Sequence, residues 1–271
     1  MSLVAICLRL VPVKECLAAR RSTYMRPRAL NRLLWTAVTF LGVIAVAVIV
    51  RRATALLPVF AHGYHPSPPP ANPALAQFAA LDDIFARHVV LTMIHIVPGL
   101  LFVTLGPLQF NAGLRASHLR WHRVSGRVYL AAAYIIGVSA LIMSFAMPAI
   151  GGLNQAAATT FFSVFFLFAL SKALWHVLHR EIALHREWMI RTFSIGLAVA
   201  TIRLIVGIFF ATSRISGLAP RQFFGIAFWI GFVLHLVVAE AWVRHTAASP
   251  IAQAVENPQK FPPCHLAAPD R

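Results

Sequence analysis

Six stretches of roughly 20 apolar residues punctuate this chain, and each is long enough at helical rise to cross a hydrocarbon core. They run from Leu33 to Val50, Val89 to Phe110, Gly126 to Met147, Ala156 to Leu178, Met189 to Thr212 and Phe223 to Val243. Charge, proline or glycine bounds every one. Hydrophobic residues make up 59% of the 271 and charged residues only 12%, with a mean hydropathy of +0.74. Soluble domains carry about 25% charge, so the apolar excess here must face lipid. The expected fold is all-α: a polytopic membrane bundle of six transmembrane helices.

The formal charge of +16 follows the same pattern. Seven basic residues precede the first span (Arg9, Lys14, Arg20, Arg21, Arg26, Arg28, Arg32). Arg115, Arg120, Arg123 and Arg127 lie between spans two and three, and Lys172, Arg180, Arg186 and Arg191 lie around the connection of spans four and five. The alternate connections are poor in net charge: the third-to-fourth has none, the fifth-to-sixth holds Arg214 and Arg221, and the first-to-second sets Asp82 and Asp83 against Arg51, Arg52 and Arg87. Lys and Arg are retained on the cytoplasmic side, so both termini are expected there, in a bacterial-type inner membrane. Topology accounts for the basic residues without a nucleic-acid partner; the bilayer, including its anionic lipids, is the expected one. Cys7, Cys16 and Cys264 have neither metal-ligand spacing nor a disulfide pattern.

The expected organisation is a basic segment over 1–32, the first helix over 33–50, an external connection over 51–88, a five-helix core over 89–243 and a disordered tail over 244–271. Met25 opens a compact basic flank, MRPRALNRLLW, and is a candidate initiation site. HPSPPPANP, His65 to Pro73, reads as an extended linker. The pattern ALAQFAALDDIFARH after it predicts a short amphipathic helix, with Leu75, Phe78, Leu81 and Phe85 on one side. The first helix is expected to be peripheral to the other five.

Polar residues inside the spans are the informative ones. An arginine at mid-bilayer costs roughly 2.5–3.5 kcal/mol on insertion scales, so Arg203 should face the bundle interior. Thr192, Gly196, Val199 and Gly207 share its helical face and predict close packing. Counting about 1.5 Å per residue from the cytoplasmic ends, His95 and Arg203 reach the same depth, roughly 21–23 Å, and could meet. His235 falls nearer the cytoplasmic end, at roughly 12 Å. An intramembrane site of His95, Arg203 and His235 is the first candidate, and Glu240 is expected to pair with an arginine.

A second candidate gathers at the cytoplasmic face: His122, Arg123, Arg127, His176, His179, His185, Arg186 and Arg191. The runs HLRWHRVSGRVYL and HREWMIRTF each place a His-Arg pair, a further arginine and then an aromatic, which suggests two related hairpins. Neutral imidazoles ligate metal and arginines bind anionic groups, so b-type haem is the cofactor this set would suit, with His95, His122 and His185 as ligands. His176 and His179 have no Cys, Asp or Glu to complete a zinc set. Positive-inside anchoring alone also accounts for such a cluster.

The run from IHIVPGLLFVTLGPLQF through WHRVSGRVYL to HREWMIRTFSIGLAVATIRL resembles the membrane family called domain of unknown function 2306, over roughly Val89 to Arg203. The resemblance implies signature positions at His95, Gly106, Arg115, His122, Arg123, Gly126, Arg127, Tyr129, His185, Arg186, Trp188, Arg191 and Arg203, but no reaction. Three functions are consistent with these residues. The leading one is a redox protein carrying b-type haem. The alternatives are a small-molecule or proton-coupled transporter with a midplane His95/Arg203 site, and a noncatalytic lipid-binding scaffold. Neither a phosphate-binding glycine loop, a nucleophile triad nor an intramembrane carboxylate pair points to any other enzyme class.

Overall fold

The computed structural model describes residues 13–66, 68, 71 and 73–247, with side chains from residue 29 on except 73–78, 214 and 247. The terminal tail beyond Ala247, much of the proline linker, the Leu75 and Phe78 side chains, and Cys7 and Cys264 lie outside them. Eight helices make up the described chain: α1 (Val13–His62), α2 (Pro73–Arg87), α3 (Val89–Phe110), α4 (Ala112–Ser117), α5 (Leu119–Ala146), α6 (Gly152–Leu178), α7 (Ile182–Ser216) and α8 (Pro220–Ala247). Six are long and apolar enough to cross a membrane: α1 from Ala29 on, α3, α5, α6, α7 and α8.

Consecutive crossings run antiparallel, so α3 and α6 end, and α5 and α7 begin, at one level that also carries most of the arginines. We call this the basic end. Trp121, Trp175, Trp188 and Trp242 stand toward the same ends of their helices, as aromatic anchors do at a bilayer interface. Gly217 closes α7 at the far end in the left-handed conformation (φ 66°), its N–H bonded to the Ser213 carbonyl at 3.0 Å.

Apolar residues fill the interior and also cover the outside. Phe102, Tyr129, Phe162, Phe166, Ala173 and Ile202 form part of one internal cluster, whereas Phe40, Val43, Phe145, Phe161 and Ile208 are exposed on the outside. An apolar exterior is what a lipid solvent permits. Buried Thr92, Ser125, Ser139 and Thr192 return their hydroxyl protons to carbonyls one turn earlier, which satisfies them without water.

α3 and α7 interlock through glycine. A Cβ on Gly196 of α7 would lie 2.4 Å from the Phe102 ring of α3, and one on Gly106 of α3 would lie 2.2 Å from the Phe193 ring of α7. The small-residue face around Arg203 is thus filled by Phe102. Gly207, expected on the same packed face, has open space around it.

The first helix departs from expectation. It continues past Val50 through Arg51 and Arg52 to His62, because Asp82 of α2 pairs with both arginines. It is not peripheral: it packs on α3 and α7, Leu56 is buried, and its residues close one wall of the cavity described next.

Candidate functional site

A cavity of about 300 Å3 enters the bundle from the α2 side and reaches the Phe102 and Phe166 rings at mid-depth. α1, α2, α3, α5, α6, α7 and α8 all contribute to its wall. The lining is chiefly aliphatic and aromatic, with His95, Arg203 and Arg52 as its ionisable groups. The size lies at the lower end of ordinary small-molecule sites.

α3 delivers His95 six residues inside its far end, at the turn that Pro98 interrupts. Pro98 has no N–H, so the Ile94 carbonyl lacks its usual helical donor beside His95. The imidazole orientation is fixed from α5. The Ser139 hydroxyl bonds the Ile135 carbonyl at 2.6 Å, and its oxygen lies 3.0 Å from His95 Nδ1, which ties this cavity-lining imidazole to α5.

Arg203 projects from α7 into the same cavity. Its Nε is buried without a hydrogen bond, and no carboxylate among the described residues pairs with it. Arg52 at the mouth is different. Its side chain is only 11% exposed, is paired with Asp82 and lies 4.2 Å over the Phe85 ring. Asp82 also takes Arg51 at 3.2 Å. Arg51 and Arg52 thus share one carboxylate, while Arg203 in the interior has none.

His235 stands apart from this cavity. Its ring bonds the Ser194 carbonyl, and its Nε2 lies 2.7 Å from the Thr201 hydroxyl. Ser194 in turn donates to the His235 carbonyl at 2.8 Å. These contacts fasten α8 to α7.

At the basic end the expected cluster is split among separate contacts. His176 is buried and bonded to Glu181, while His179 stacks on Trp175 at 4.1 Å and bonds its carbonyl. His185 reaches the Ala173 carbonyl of α6 at 2.8 Å through Nδ1, and neighbouring His122 keeps a buried, unpartnered Nδ1. Arg191 pairs with Glu240 of α8 at 2.9 Å, and Arg186 touches Thr246. Arg123 and Arg127 are exposed. Among the described residues no group of three His, Cys, Asp or Glu is placed to share a metal ion.

The three expected haem ligands do not converge. His122 and His185 lie near the basic ends of α5 and α7, whereas His95 is 15 residues, roughly 22 Å, from that end of α3. No other histidine lines the cavity. A b-type haem held between two imidazoles needs both at one height on facing helices, so it does not fit the His95 cavity.

Sequence reasoning missed Arg52, Asp82 and Ser139 as parts of this site. The doublets Arg51-Arg52 and Asp82-Asp83 on either side of the proline linker were a readable sign that its two ends meet. Ser139 gave none, because serine inside an apolar helix usually bonds only its own backbone.

Apolar exterior, antiparallel crossings and an interior cavity carrying ionisable groups together define a polytopic α-helical membrane protein. A family model described as "Predicted membrane protein (DUF2306)" matches residues 92–243, more than half of the chain, and the protein belongs to that family. The match covers α3 from Thr92 through most of α8, so α1 and α2, which carry Arg52 and Asp82, lie outside it. No match was found among curated proteins or among solved structures.

Proposed function

We propose that this protein binds a small molecule within the membrane and passes it, with a proton, through the cavity at His95 and Arg203. The observation that carries this reading is that an imidazole and a guanidinium without a carboxylate partner line one cavity. A carrier needs a proton acceptor and a substrate charge partner near mid-bilayer, and intramembrane ionisable groups of this kind mark such pathways. The positive-inside count puts the basic end and both termini in the cytoplasm of a bacterial inner membrane, so the cavity would open outward beneath α2.

Chemical access tests the reading. In protein stripped of Cys7, Cys16 and Cys264, the substitution Ala140→Cys on the cavity wall should create a thiol that reacts with a small neutral water-soluble reagent. A fully inert Ala140→Cys variant would mean a sealed packing void and would end the carrier proposal. The haem reading has its own assay: protein expressed with ample haem should show no Soret band. A Soret band lost on His95→Ala would restore it.

A further inference from the structure

We infer that the molecule taken up is a single-headed anionic amphiphile, with its carboxylate or phosphate on Arg203 and its apolar tail along the aromatic wall. This deepens the proposed function and rests on the same cavity.

Three observations set the class. First, the interior charge balance is positive: Arg203 has no counterion among the described residues, and none of the cavity-lining residues is Asp or Glu. A buried guanidinium without an anion is a costly arrangement that a bound anion relieves. Its planar fork matches a carboxylate or a phosphate. Second, the deep wall is apolar. Phe102, Phe162, Phe166, Phe228 and Phe232 offer rings, not hydrogen bonds, so only one end of the ligand meets polar groups. A sugar or an amino acid would leave its other polar groups unpaired there. Third, the mouth already contains the interaction that such a head group makes. Arg52 is held by Asp82 of α2, and Leu81, Ile84 and Phe85 of the same helix cover the opening. An entering anion meets Arg52 first and competes with Asp82, which couples entry to release of α2.

A free fatty carboxylate and a membrane lipid phosphate share this chemistry, and binding in nanodiscs separates the two sources. The probe is radiolabelled decanoate, added to protein in phosphatidylcholine nanodiscs with empty discs subtracted. Saturable binding is expected, with unlabelled decanoate displacing the probe about tenfold better than decanol, as a charge-assisted contact implies. Arg203→Gln should weaken binding by about the same factor, and Arg203→Lys should restore part of it. If phosphatidylglycerol discs abolish decanoate binding, the lipid phosphate is the occupant and the inference stands. If decanol competes as well as decanoate on the wild-type protein, the class is wrong, and this arm needs no variant to fold. Failure of decanoate to bind while the Ala140→Cys thiol still labels overturns this inference alone; an inert thiol in that variant overturns the carrier reading with it.

Discussion

The three intramembrane ionisable side chains differ in what their neighbours leave free. His235 is held by Ser194 and Thr201 of α7, His95 is held by Ser139 of α5, and Arg203 has a buried Nε with no partner. His235→Leu should therefore lower stability by about 1–3 kcal/mol, the cost of stranding Thr201 and the Ser194 carbonyl, while decanoate affinity of the folded fraction stays unchanged. Melting curves and binding on the same preparation check both halves. A loss of affinity at full stability would move His235 into the site. The sequence made Arg203 and His95 legible because polar groups at mid-span are costly and helical rise fixes their depth. It did not show what holds the two imidazoles, since Thr201, Ser194 and Ser139 reach them from other helices. Asp83 offers a pH test outside the spans. The Tyr64 hydroxyl and Arg87 both donate to it and hold its carboxyl below the usual carboxylate range. A depressed value contributes stability above the ordinary carboxylate pKa and loses it as pH falls through the folded value. The melting-temperature gap between wild type and Asp83→Asn, present at pH 7, should narrow as pH falls below the ordinary carboxylate pKa of about 3.9.

Among the elements, α2 and the α3–α7 pair behave oppositely. The amphipathic pattern found α2 to within a residue, and its Leu81, Ile84 and Phe85 line the cavity. Only the assembled α1 shows this, because Arg52 and Asp82 are 30 residues apart. Asp82→Ala should cost about 1–2 kcal/mol, less than a fully buried pair because Asp82 is 37% exposed. It should also raise proteolytic cutting in α2 first. The α3–α7 contact has no such slack. Gly106→Ala or Gly196→Ala drives a methyl group into a buried phenylalanine ring, so each should destabilise by about 1–3 kcal/mol. The double variant Gly196→Ala/Phe102→Leu should recover part of that loss. Glycine stripes at both places were visible in the sequence, but which ring fills which stripe depends on helix rotation.

At the scale of the whole molecule, an even number of crossings puts both ends of the bundle on one side of the bilayer. The orientation proposed above puts that side in the cytoplasm. Green fluorescent protein fused after residue 247 should therefore fluoresce, and alkaline phosphatase inserted near residue 66 should be active; the reverse pattern would invert the topology. The reciprocal rings of α3 and α7 carry one more consequence. A ring seated in a glycine notch on each helix blocks sliding in both axial directions, so the two helices form a stator. Any motion that exposes the cavity alternately must then be made by α1, α2, α5 and α6 swinging around that fixed pair, with His95 and Arg203 held at constant separation throughout the cycle.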